Sequence, residues 1–73
     1  VNHNTGSVLN GDYVRLGDVL MGDNMIKAVV LWDDVNRAYG VEIGQQRDTW
    51  CELEPYLIKD ESLKVVGNIL NRN

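Results

Sequence analysis

Apolar residues fall in short runs broken by Gly, Asp and Asn, with no sustained helical spacing, a pattern that predicts consecutive β-strands and hairpins. Asn10-Gly11 and Gly17-Asp18 open the pattern. Asn and Gly tolerate positive φ, so the first pair predicts a tight turn and the second a sharp lead into Val19-Leu20-Met21. Gly22-Asp23-Asn24 ends that strand. Met25 to Trp32 is the strongest strand, and Asp33-Asp34-Val35-Asn36 turns the chain toward a partner at Tyr39 to Ile43. In that partner Tyr39, Val41 and Ile43 alternate with Ala38, Gly40 and Glu42, which marks the inward face. After the loop from Gly44 to Asp48, a short strand runs from Thr49 to Leu53. Pro55 then stops pairing because it has no N–H. Tyr56-Leu57-Ile58 reads as an irregular or 3₁₀ turn, Leu63 to Val66 as the last strand, and Ile69-Leu70 as a cap over an open end.

These elements predict an all-β fold, a small antiparallel SH3-like barrel of about five strands. Residues 1–9 carry little apolar content and read as a flexible leader, with residues 10–73 as one domain.

Within the strongest strand, Ile26, Ala28, Val30 and Trp32 share one parity and are expected in the core, while Val29 and Leu31 face the other way. That second face needs a cover, either the Tyr56 to Ile58 segment or a second copy of the chain, so Val29 and Leu31 are the candidate self-association residues. Trp50 alternates with Asp48 and Glu52, among polar neighbours. Beside Pro55 and Tyr56 it would form an aromatic shelf for a protein partner, with Glu52 and Arg47 at the rim. A kink in the strand is the alternative and would return the indole to the core. Aromatic and arginine side chains dominate binding hot spots, which is why Trp50, Tyr56, Pro55, Glu52 and Arg47 form the candidate partner-binding set.

Composition narrows the chemistry. A chain of 73 residues is at most one domain and buries only roughly 60% of its unfolded surface, so oligomerisation would supplement a small core. Cys51 is the only cysteine, which fits a reducing, cytoplasmic setting, and the longest apolar run, Ala28 to Trp32, falls far short of the roughly 20 residues that span a bilayer. The net charge is -4 and the cations Arg15, Lys27, Arg37, Arg47, Lys59, Lys64 and Arg72 are scattered, which argues against nucleic acid and anionic membrane. The competing reading is a nucleic-acid-associated barrel in which Trp50 and Tyr56 stack on bases while Arg37 and Arg47 meet phosphates.

No enzyme constellation assembles. His3 and Cys51 are too few and too distant for zinc, no calcium-loop spacing occurs, and Cys51 has no base to activate it, so it reads as a small buried hydrophobe. Asp33-Asp34, Glu52 with Glu54, and Asp60-Glu61 suit turns, the outer face of a strand and a polar loop respectively. The expectation is a non-enzymatic module with no metal or cofactor.

Two motifs bring in a family. Asn10-Gly11 is followed by Gly17-Asp18 and an aliphatic pair, Val19-Leu20, and the chain closes on Val65-Val66-Gly67-Asn68-Ile69, with Val29-Val30-Leu31-Trp32 between them. In these segments, covering about residues 8 to 69, the chain resembles the YopX-like family of small bacteriophage and prophage proteins. It departs from that pattern at Arg15-Leu16, where the family carries an aromatic, and after Ile69, where an acidic, leucine-containing helix is reduced to Leu70-Asn71-Arg72-Asn73. The resemblance implies an SH3-like barrel in a phage context, a host or phage protein as partner, and no catalytic residues to carry over.

Overall fold

A computed structural model describes residues 4–44 and 49–70. Among these the order is β1 (Asn4–Leu9), β2 (Asp12–Arg15), β3 (Asp18–Met21), β4 (Lys27–Asp33), β5 (Ala38–Ile43), β6 (Trp50–Glu52), α1 (Leu53–Lys59) and β7 (Lys64–Asn68). β1 and β2 form a hairpin, and the remaining strands form an antiparallel sheet in the order β6-β5-β4-β3-β7. The fold is therefore all-β with one short helix, as the pattern of apolar runs predicts. No strand pairing joins the hairpin to the sheet among the described residues, so the strands of the expected barrel form two separate sheets rather than one closed one.

Of the leader expected over residues 1–9, residues 4–9 are a paired strand and residues 1–3 lie outside the described residues. Asn10 and Gly11 take φ of 54° and 86°, the two positive values that a two-residue type I′ turn demands, and Leu9 faces Asp12 across it. Polar composition hid β1 because its hydroxyls have specific work. Thr5 Oγ1 donates to the Val14 carbonyl at 2.8 Å, and buried Ser7 donates to Glu54 Oε1 at 2.8 Å, which ties β1 to α1.

The second correction is α1, where an irregular or 3₁₀ turn was expected. Leu53, Tyr56 and Leu57 are its buried residues, spaced as one face of a helix. Pro55 lies in the first turn, where its missing N–H would have had no partner in any case, and Glu54 and Lys59 suit the two ends of the helix dipole.

The core is Val14, Leu20, Ala28, Val30, Val41, Leu53, Tyr56, Leu57 and Leu63. Register puts Leu20 opposite Ala28 and Val30 opposite Val41, so one face of the sheet supplies the floor while α1 and the hairpin supply the cover. Trp32 shares the parity of Val30 but is 45% exposed, and Ile26 is also exposed, contrary to the expected core. Parity selects a face; what lies over that face decides how far along a strand burial extends. At its exposed end of β4, Trp32 stacks edge-on against Tyr39 at 4.9 Å and donates Nε1–H to Asp34 Oδ1 at 3.2 Å. The turn beyond it is closed by Asp33, which accepts from Val35 N at 3.0 Å and Asn36 Nδ2 at 2.6 Å; these bonds, Asn36 first, hold its carboxyl below the usual range.

The segments that begin and end the pattern meet in space. Asp18, 6% exposed, accepts from Arg15 N and from Asn68 Nδ2, each at 2.8 Å. Asn68 Nδ2 also donates to the Leu16 carbonyl at 3.1 Å, and Ile69 N donates to the Gly17 carbonyl at 2.9 Å. On the far side, Asn10 Nδ2 donates to the Leu63 carbonyl at 3.1 Å. β2 and β7 thus run side by side in the same direction, pinned before their starts and after their ends.

Candidate functional site on the outer face of the sheet

Trp50 pairs with Glu42, Glu42 with Val29, and Val29 with Val19, so these residues form one row across the sheet on the face opposite the core. The next row places Leu31 beside Gly40 and Gly40 beside Glu52. The Trp50 ring lies directly over Gly40: a Cβ built there would overlap the indole and come within 2.6 Å of the Cys51 carbonyl. Glycine is what permits this close approach, and the indole covers the backbone that glycine leaves bare. Val19, Met21, Val29, Leu31 and Trp50 are all half-buried, with Lys27, Lys64 and Glu52 exposed at the margins. Half-buried Glu42 crosses this apolar strip between Val29 and Trp50, so the face carries one acidic position within it as well as charges at its margins.

The expected shelf does not assemble. Trp50 keeps the outward direction that strand alternation predicts, without the kink that would bury it. Tyr56 is only 8% exposed and belongs to the core on the other face of the sheet, because the helix begun at Leu53 turns it inward. Burial raises its phenol above the ordinary range, and Asp60 and Cys51 add to the shift. Pro55 is exposed on α1, Glu52 is exposed at the end of β6, and Arg47 lies outside the described residues. Val29 and Leu31 do lie on the outer face, but the Tyr56 to Ile58 segment is not their cover, since its buried residues face the core. Val19 and Met21, absent from the expected set, complete the strip. Extending the same alternation one strand back would have found them.

Other candidates have structural employment. Cys51 faces Val41 and packs half-buried against the core. Glu54 accepts the Ser7 bond rather than sharing a strand face with Glu52. Asp60 accepts from Ser62 N at 2.9 Å and Ser62 Oγ at 2.6 Å, which lowers its carboxyl, and Ser62 Oγ accepts in turn from Asp23 N at 2.9 Å. The Asp60 carboxylate therefore braces a loop that was expected to be only a solvated polar stretch. For the base-stacking alternative, Arg37 is exposed in the β4–β5 turn with φ of 53°, while Tyr56 has no face open to a base. His3 lies outside the described residues; among those described, no group of three His, Cys, Asp or Glu is arranged to hold a metal ion. No described helix is long and apolar enough to cross a membrane. No family model, curated protein or solved structure matches the chain.

Proposed function

We propose that this chain is a non-enzymatic binding module that docks another protein on the outer face of its five-stranded sheet. The observation that carries this reading is the uncovered strip of Val19, Val29, Leu31 and Trp50, set on a sheet whose opposite face already has its cover. Trp50 is the anchor, because a large indole held against Gly40 offers area at little further cost in side-chain entropy. Val29 and Leu31 extend the contact and also serve self-association, since the same strip on a second copy is complementary to itself under two-fold symmetry. The resemblance to YopX-like phage and prophage proteins suggests a host or phage protein as partner, within the bacterial cytoplasm.

Sedimentation velocity and affinity capture from bacterial lysate test this with wild type, Trp50→Ala and Leu31→Glu. Wild type is expected to associate with rising concentration and to retain a partner. Trp50→Ala should weaken partner binding by more than about 2 kcal/mol, and Leu31→Glu should be a folded monomer. A monomeric wild type that recovers the same proteins as both variants overturns the reading.

A further inference from the structure

At the other edge of the sheet, a cleft of about 700 Å³ separates β2 from β7 and is lined by Leu9, Asp12, Tyr13, Arg15, Lys64 and Val65, with Asn10 and buried Asp18 at its ends. Among the described residues β2 pairs only with β1, and β7 only with β3, so each presents its second edge unpaired there. Which backbone groups face the cleft follows from alternation. Leu9 and Asp12 close the two-residue hairpin, so Asp12 and Val14 direct their backbone groups to β1 and Tyr13 directs its N–H and C=O away; the Thr5 bond to the Val14 carbonyl agrees with this phase. On β7, the Leu63 carbonyl accepts from Asn10 across the cleft, so two residues later Val65 also points its N–H and C=O into it. Tyr13 and Val65 thus face a shared space from opposite sides.

The pins explain why these edges do not zip together. Two of the three links use an Asn side-chain amide, Asn10 to Leu63 and Asn68 to Leu16, which interposes a side chain where a ladder would have direct backbone bonds. Only the Ile69–Gly17 bond, at the narrow end, is backbone to backbone. The result is a slot bounded on two sides by strand edges.

We infer that this slot takes an extended peptide segment carrying a carboxylate, which adds as a strand between β2 and β7. Backbone bonds to Tyr13 and Val65 supply most of the recognition, as in other strand-addition sites. The Arg15 guanidinium supplies the charge preference: it has no acidic partner among the described residues, since Asp18 engages the Arg15 backbone N–H rather than its side chain. Lys64 and Asp12 line one end and offset one another there, and at the other end buried Asp18 has both oxygens engaged, by Arg15 N and Asn68 Nδ2, so selectivity for an acidic side chain is placed at the Arg15 guanidinium. β7 lies four strand spacings from β6 in the sheet order, about 19 Å, so binding at this slot is distinguishable from binding at Trp50.

The probe is the blocked tetrapeptide acetyl-Glu-Val-Glu-Val-amide, titrated into isotope-labelled full chain and read by amide chemical shifts. Saturable shifts at Tyr13, Arg15 and Val65 are expected at peptide concentrations up to about 1 mM, lost when the peptide backbone is N-methylated. Arg15→Glu should bind this peptide roughly fivefold more weakly and prefer the Lys-for-Glu analogue. No saturable shift, shifts that fall instead on Val29, Leu31 and Trp50, or equal binding of the N-methylated peptide overturns the inference. If Arg15→Glu binds both peptides as wild type does, the carboxylate preference is wrong.

Discussion

The two faces of the five-stranded sheet are built from similar side chains, yet Leu20, Ala28, Val30 and Val41 on one are fully buried, while Val19, Val29 and Leu31 on the other are only half-buried. Hydrophobicity alone does not separate them. What separates them is that α1 and the β1–β2 hairpin both come to rest on one side, held there by Ser7 with Glu54, by the Arg15 N–H on Asp18 and by Asn10 on the Leu63 carbonyl. An apolar side chain that has no neighbour above it is half-satisfied by its row-mates, and a docking partner can complete it.

The largest expected effect tests whether the inner face alone is core. Leu20→Ala should cost about 2 to 5 kcal/mol in urea unfolding, as truncations in closed cores do, whereas Leu31→Ala should cost about 1 kcal/mol, in keeping with its partial burial. Equal losses would show that the outer face is already sealed. Next comes Gly40→Ala, where the new methyl meets both the indole and the Cys51 carbonyl. A loss of about 1 to 3 kcal/mol is expected, and combining it with Trp50→Ala should recover part of it by removing one of the two clashes; strict additivity would mean that the ring does not rest on Gly40. Asp18→Ala removes the acceptor of the Arg15 N–H and one of the two acceptors of Asn68 Nδ2, and should cost about 1 to 3 kcal/mol. Hydrogen exchange should report that loss first at the hairpin and β7, leaving the β4–β5 pair protected.

Acid should have the smallest effect. Asp33 and Asp60 are both held below the usual carboxylate range by hydrogen bonds, so their ionised forms favour the folded chain. Their contribution is complete above the unfolded value of about 3.9 and is lost as pH falls through the lower folded values. Unfolding midpoints should therefore drop on going from about pH 5 to about pH 2, less steeply in Asp33→Asn. An unchanged slope in that variant would assign the acid sensitivity to other carboxylates.

Much of the sheet is legible in the chain because local rules govern it. The Asn10-Gly11 turn needs only two residues that accept positive φ, the Asp33 turn needs one short acceptor, and the β4–β5 pairing follows from alternation on both strands. The elements that escape such reading depend on distant partners. β1 looks too polar until Val14 and Glu54 are placed beside Thr5 and Ser7, and the helical spacing of Leu53, Tyr56 and Leu57 is masked by a proline that its first turn tolerates. The candidate site shows the same division. Trp50, Val29 and Leu31 have the direction that alternation assigns them, while Tyr56 was assigned to the wrong face because its element was mistaken.

The sequence by itself determined the all-β character, the turns, and which residues of each strand share a face, since backbone stereochemistry and the two-residue repeat act between near neighbours. Tertiary structure alone decided which of those faces is covered, where burial ends along β4, and that β2 and β7 stop short of pairing. Those outcomes depend on contacts between residues some fifty positions apart, such as Ser7 with Glu54 (|i−j| = 47), Asn10 with Leu63 (53) and Asp18 with Asn68 (50), and no local pattern encodes where such partners will meet.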